Sequence, residues 1–275
     1  MTEGVAEIDF GRREGITRLV HLYQRDPLRV LFPAAAAGDP LLAVLLTTSG
    51  GLVAGDRLDI GVGVAKGAAV HVTTSAAEKV YRSLGPTTEI RQSLSVAAGA
   101  ALEFLPLETI LFEGARLRRE TTIELGSGAA FLGGDIVVFG RRARGEGFTR
   151  GFLREVWQVH RGGRLVWGDA LHLEGDIAGI IDDPACFDGA AAFATMILAP
   201  AGRDPRRYLD CARKVQSASA TDTVRCGATA IADLVVARWL AADAAALRRA
   251  YANLASHLRR EVLGLPPRLP RLWHV

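Results

Sequence analysis

Acidic side chains are the residues of this sequence with the clearest capacity for chemistry. Six of them lie beside apolar or glycine-rich segments that we expect near the core: Asp56, Glu78, Glu103, Glu108, Glu113 and Asp135. A buried carboxylate is unfavourable unless a cation or hydrogen bonds compensate it. Two interpretations follow: ion pairs with nearby Arg57, Lys79 or Arg116, or a polar passage for a divalent cation. For any single acid the ion pair is the commoner explanation.

Catalytic signatures are absent from the sequence. It contains neither a G-x-S-x-G nucleophile elbow nor a G-x-x-x-x-G-K-[ST] phosphate loop. The glycine-rich segment 49–57 lies between two strand-like runs, which favours a structured β-turn over a phosphate cradle. The alternative is a β-sandwich hydrolase or lyase that uses Asp56, Glu103 or Glu108 as acid and base. No positioned nucleophile or cofactor motif accompanies these acids, so we predict a protein that is not an enzyme.

Metal-binding patterns are equally sparse. The six histidines form no H-x-H or H-x-x-x-H pair, and the three cysteines form no C-x-x-C pair. We therefore predict no tightly bound cofactor. A transient site for a borderline divalent ion stays open, because imidazole, carboxylate and thiolate groups from different strands can all bind such ions.

The overall composition limits the possible partners and the cellular location of the protein. Thirty-three basic and thirty acidic residues give a net charge of +3, which argues against a nucleic-acid partner. The N-terminus lacks the apolar run of a signal peptide, and no stretch is long enough to span a membrane. Cys186, Cys211 and Cys226 are an odd, widely spaced set. A reducing cytoplasm is the predicted location.

Alternating apolar and polar residues predict the elements that position these acids. Residues 88–96 and 116–125 alternate with period two, which is typical of half-buried strands, although Gln92 and Arg119 interrupt the inward faces. We predict a mainly β fold of stacked sheets, either a sandwich or β-helix-like, that is rich in strands from 16 to 200. Helices near 205–215 and 243–263 would form a small C-terminal annex, with Asp243 as N-cap and Gly264 at the end. The predicted domain is 1–275.

Five segments, in this order, resemble the motifs of one family. They are 49–56 (SGGLVAGD), 73–82 (TTSAAEKVYR), 102–112 (LEFLPLETILF), 140–148 (GRRARGEGF) and 270–273 (PRLW). Together they resemble the UreD (UreH) family of urease accessory proteins. The chain departs from that pattern at Gly134-Asp135, where members often carry W-E, and residues 190–227 match no motif.

The resemblance implies a chaperone that binds apo-urease and the accessory proteins UreF and UreG, and that assists transfer of Ni²⁺ through its interior. UreG would supply the GTPase, in agreement with the missing phosphate loop. Asp56, Glu103, Glu108 and Asp135 become the candidate contacts for transient nickel. The tail 265–275, with its Pro, Arg and Trp residues, is either a partner contact or a segment packed against its own sheet.

Overall fold

A computed structural model describes residues 1–274 of the protein; Val275, the last residue of the predicted domain and of the tail, lies outside them. Within those residues there are seventeen strands and three α-helices. The strands are β1 (Glu3–Arg13), β2 (Ile16–Arg25), β3 (Leu28–Leu31), β4 (Leu41–Thr47), β5 (Arg57–Val64), β6 (Ala69–Thr74), β7 (Glu78–Val80), β8 (Thr88–Val96), β9 (Ala101–Phe104), β10 (Thr109–Leu111), β11 (Arg116–Leu125), β12 (Ala130–Phe139), β13 (Phe152–Arg161), β14 (Arg164–Glu174), β15 (Ala192–Pro200), β16 (Val224–Ile231) and β17 (Leu234–Ala241). The helices are α1 (Ile177–Asp182), α2 (Arg206–Ser219) and α3 (Ala244–Leu263).

Two stacked sheets form the body of the protein. The seven-stranded sheet has the order β14-β13-β11-β8-β5-β1-β2, and the central path of the ten-stranded sheet is β16-β17-β15-β12-β9-β6-β4-β3. From β4 to β13 the chain passes back and forth between the sheets, with β6–β7 and β9–β10 as consecutive strands of the ten-stranded sheet, and equivalent strands of successive coils pair in parallel. This is a β-solenoid-like arrangement, and the predicted mainly β, stacked-sheet fold is confirmed.

The alternation in the sequence matches the burial of the strands. In β8 the inward residues Ile90, Leu94 and Val96 are buried, and Gln92 is buried with them. By contrast, all ten residues of β12 are buried, because the other sheet covers one face of this strand and the helices cover the other.

Strands also occur outside the predicted range of 16–200. β1 begins at Glu3 and pairs in parallel with β5, while β16 and β17 follow α2. The N-terminal strand escaped prediction because its outward acids, Glu3, Glu7 and Asp9, conceal the alternation of small and apolar residues. Ala6, Ile8 and Phe10 are the buried members of that alternation.

The C-terminal annex is helical, as predicted. Asp243 caps α3 by accepting a hydrogen bond from the Ala245 amide at 2.9 Å, and Gly264 ends it with a φ of 66°. The apolar face of α3 packs on the ten-stranded sheet and forms a second core beside the one between the sheets. None of the helices within residues 1–274 is long and apolar enough to cross a membrane.

The tail packs against this annex. Trp273 is buried and stacks on Tyr251 of α3, with ring centroids 5.7 Å apart. The indole ring therefore packs against the protein itself, on helix α3, whereas the second alternative from the sequence had placed the tail against the sheet. Arg271 beside it remains exposed.

Candidate functional site

The four acids predicted to contact nickel lie in separate environments. Asp56 precedes β5, Glu103 lies in β9, Glu108 precedes β10 and Asp135 lies in β12. Within residues 1–274, no three His, Cys, Asp or Glu side chains converge in a group that could hold a metal ion. Each acid therefore has its own set of contacts.

Asp56 closes the glycine-rich turn. One carboxylate oxygen accepts from the backbone amide of Thr2 at 2.8 Å and from its hydroxyl at 2.9 Å. The other oxygen accepts from the Val53 amide at 2.9 Å. The segment is a turn that leads into β5, which agrees with the sequence interpretation, and Gly51 approaches Lys79 so closely that a Cβ would lie 2.9 Å from its carbonyl oxygen.

Glu103 points away from the other sheet and towards α3. Its carboxylate accepts from Arg259 Nε at 2.8 Å and Nη2 at 2.9 Å, and lies 3.0 Å from His71 Nδ1. Burial alone would raise the pKa of Glu103, but hydrogen bonds and electrostatic attraction from His71 and Arg259 outweigh burial and lower it. The carboxylate is therefore held in its ionised form.

Glu108 lies nearer the surface, beneath the start of α3. Its Oε1 pairs with Arg248 Nη1 at 3.4 Å. Its Oε2 is buried and has no hydrogen-bond partner among the described residues. Of the four acids, Glu108 has the least satisfied carboxylate.

Asp135 lies between the two sheets in a buried polar cluster. Arg119 of β11 reaches across and donates to Asp135 at 2.5 Å, to Glu155 of β13 at 2.7 Å and to the Thr109 hydroxyl at 2.8 Å. Two carboxyl groups thus share one guanidinium, and all three charged residues are buried.

The pKa values of the two carboxyl groups in this cluster are shifted in opposite directions. Burial, reinforced by the negative charge of Glu155, raises the pKa of Asp135 well above its usual range. Burial also acts on Glu155, but Arg119 and the hydrogen bond to Asp135 lower its pKa. Glu155 Oε2 has no hydrogen-bond partner among the described residues. The cluster is therefore Arg119 with two buried carboxyl groups whose pKa values are shifted apart, that of Asp135 upwards and that of Glu155 downwards.

A cavity of about 140 Å³ adjoins this cluster. Its lining includes the buried residues Arg119, Thr109 and Gln92 and the more exposed Glu78 and Lys79. Thr47 donates to Glu78 at 2.9 Å, while burial raises the pKa of that carboxyl. The volume has room for several water molecules beside the polar groups.

Glu155, His71 and Arg259 are the residues of these clusters that sequence analysis missed. Arg259 lies 156 residues from its partner Glu103. The one signal in the sequence was Arg119, a charged residue on the inward face of a strand.

The whole chain is similar in sequence to proteins of one family. A family model described as "UreD urease accessory protein" matches residues 2–274. A protein of Magnetococcus marinus is 44% identical over 99% of this chain and 94% of its own length. Proteins of Methylobacterium sp. (43% identity; 94% and 89% coverage) and Rhodopseudomonas palustris (38%; 98% and 90%) are also similar. All three carry the name "Urease accessory protein UreD".

Proposed function

The chain belongs to the UreD family of urease accessory proteins, and from this premise we propose that it is a non-catalytic chaperone that assists nickel delivery to the urease active site. In this proposal it acts in the cytoplasm, binds apo-urease together with UreF and UreG, and holds Ni²⁺ only transiently. Family membership supports the role in urease maturation; the internal chemistry supports the role in ion transfer.

The observation that carries the ion-transfer role is the Asp135–Glu155 pair, whose common partner Arg119 lines the cavity of about 140 Å³, although neither carboxyl group lines it. Oxygen ligands with retained water bind divalent cations weakly enough to release them. Because burial raises the pKa of Asp135, a cation that approached this carboxyl would compete with a proton, and binding and release would be coupled to proton transfer. Arg119 would compete for the same oxygens and keep the affinity low.

The other three acids already make hydrogen bonds or ion pairs within the protein. A metal ion at Asp56 or Glu103 would have to displace three hydrogen bonds or a two-pronged arginine contact. An ion at Glu108 would displace fewer contacts, because one of its oxygens is unpaired among the described residues. We retain all three as proposed nickel contacts, in the order Glu108, then Glu103 and Asp56.

The hydrolase or lyase alternative gains no support from these contacts. Asp56, Glu103 and Glu108 each bond to a different set of partners, and those partners hold them in place. Nothing in the described region pairs two of them as acid and base across one cavity.

The proposal is tested by Asp135→Asn in cells that co-express the urease operon. Asparagine can accept from Arg119 and donate to Glu155, so the fold and the complex with UreF should survive. Asparagine cannot exchange a proton for the cation, so the nickel content and activity of urease should fall by roughly tenfold, as for other substitutions around metal sites. Asp59→Asn, an exposed acid of β5, is the matched control and should leave activation unchanged.

Two outcomes would contradict the proposal. Full activation by the Asp135→Asn protein would show that this carboxyl does not transfer nickel. If the variant fails to fold or to capture UreF, and the nickel content falls only as much as the amount of folded complex falls, Asp135 has a structural role.

A further inference from the structure

A second cavity lies between the outward side of α3 and the C-terminal tail. Its volume is about 600 Å³, which is within the range of small-molecule sites. The apolar residues of α3 recur at helical spacing and pack on the sheet, so the polar residues between them face away from it. Pro267 and Trp273 of the tail form the other side of the cavity.

The polar part of the lining consists of hydrogen-bond donors with an excess of positive charge. Two arginines, two histidines, an asparagine and a serine contribute to it: Arg248, Arg249, Asn253, Ser256, His257 and His274. Within residues 1–274, no Asp or Glu side chain contributes to the lining. A concave surface with charge of one sign concentrates ions of the opposite sign. The lining therefore favours an anion.

One of the two arginines is fixed within the protein, and the other is available to a ligand. Arg248 Nη1 pairs with Glu108 at 3.4 Å, and Nη2 donates to the Leu272 carbonyl oxygen at 3.0 Å. Arg249 is exposed and forms no ion pair or side-chain hydrogen bond with the described residues. All five N–H groups of its guanidinium are thus available to an anion.

The neighbouring polar side chains lie on the following turns of the same helix face. Asn253 and His257 succeed Arg249 at intervals of four residues, so they lie above one another on α3. His257 Nδ1 donates to the Asn253 carbonyl oxygen at 2.9 Å, since a carbonyl can only accept, and this bond fixes the imidazole ring. The donors are therefore arranged along one wall of the cavity.

From this arrangement we propose that the cavity binds a small anion that carries phosphate groups. A phosphate group has at least three acceptor oxygens, so it can use several of these donors at once, whereas a carboxylate has two oxygens. Arg249 would form a bidentate contact with it, and Arg248 would add a second positive charge. The proposal does not rest on the nickel-transfer role, because none of the four proposed nickel contacts lines this cavity.

Calorimetric titration of the full-length protein with pyrophosphate and with citrate tests the class of ligand. The two probes are small and carry similar negative charge near neutral pH, but only pyrophosphate contains phosphate groups. We expect pyrophosphate to bind at millimolar concentration or below, and about fivefold more tightly than citrate, the ratio expected for one additional net hydrogen bond. Equal affinities, a preference for citrate, or no binding of pyrophosphate at millimolar concentration would overturn the proposal.

Arg249→Gln locates the bound probe. It removes the available guanidinium, so pyrophosphate should bind about tenfold more weakly. Arg260→Gln is the matched control, because Arg260 is an exposed residue of the same helix that does not line the cavity. It removes the same charge and should change the affinity by less than about twofold. Equal weakening by the two substitutions would show that only the net charge of the protein attracts the probe, and the site would be wrong.

Ser256→Asp and Ser256→Asn form a second matched pair. The first places a carboxylate in the cavity and should weaken pyrophosphate by about tenfold or more, whereas the second adds a side chain of the same shape without the charge and should retain most of the affinity. Pyrophosphate binding that survives both Arg249→Gln and Ser256→Asp would place the probe elsewhere and sink the assignment. Thermal unfolding shows that each variant is folded, and the comparison of pyrophosphate with citrate on the parent protein needs no variant.

Discussion

At the scale of single residues, two buried arginines set the environment of the acids. Arg119 spans the space between the sheets and meets Asp135 and Glu155, whereas Arg259 reaches from α3 to Glu103. Each guanidinium provides several fixed donors, so one side chain can satisfy two carboxyl groups at once. The acids are tolerated in the interior because of these partners.

Arg119→Met tests this dependence. Removal of the cation leaves two buried carboxyl groups without a counter-ion, which should reduce the free energy of unfolding by about 3–5 kcal/mol at pH 7. The loss should shrink as the pH falls towards 5, because protonation of the carboxyls removes the uncompensated charge. Urea denaturation at the two pH values measures both effects.

Arg118→Met is the matched control, because Arg118 lies next to Arg119 on β11 with its side chain exposed. It should change stability by no more than about 0.5 kcal/mol. Similar losses in the two variants would show that the Arg119 ion pairs contribute little to stability.

At the scale of elements, α3 connects the annex to the sheet. Leu247, Tyr251, Leu254 and Leu258 recur at helical spacing, and all are buried. Arg259 follows on the same helix and is held at Glu103. The helix therefore positions both the second core and the Arg259–Glu103 ion pair.

Asp243→Ala should weaken this element at its start. The side chain accepts from the Ala245 amide, and loss of such a cap costs about 1 kcal/mol. Asp243→Asn keeps an acceptor and should remain close to the parent protein. Thermal denaturation followed by circular dichroism distinguishes the two, and an equal effect of both substitutions would argue against the cap.

At the scale of the whole molecule, the two sheets do not cover each other completely. β2 is the last strand of the seven-stranded sheet, and apolar residues on it remain accessible, with Ile16 53% and Val20 52% exposed. Exposed apolar edge strands are templates for pairing with other chains. The edge formed by β2 is therefore the part of the described surface most prone to association.

Leu22→Lys should reduce self-association of the purified protein, because a charge on an edge strand opposes strand pairing. Light scattering during incubation at 37 °C measures the effect, and the melting temperature should stay within a few degrees of the parent. Leu84→Lys is the control: Leu84 is 90% exposed but lies in a loop. If both substitutions reduce scattering equally, net charge rather than the strand edge is responsible.

The sequence by itself determined several of the elements and the family. Period-two alternation is a local property, so β8 and β11 could be predicted from nearby residues alone. The same holds for α3, whose cap, apolar spacing and terminal glycine all lie within 22 residues of one another. The ordered motifs identified the family for a different reason: five matches in the correct order restrict the choice far more than any single one.

Only the tertiary structure decided what each acid contacts. Glu103 finds its cation 156 residues away, and Asp135 shares Arg119 with Glu155, which sequence analysis had not considered. The buried Nε2 of His71, unpaired among the described residues, likewise becomes visible only in the folded structure. Side-chain partners depend on how sheets and helices stack, and this packing is set by many weak contacts between distant segments rather than by any local pattern.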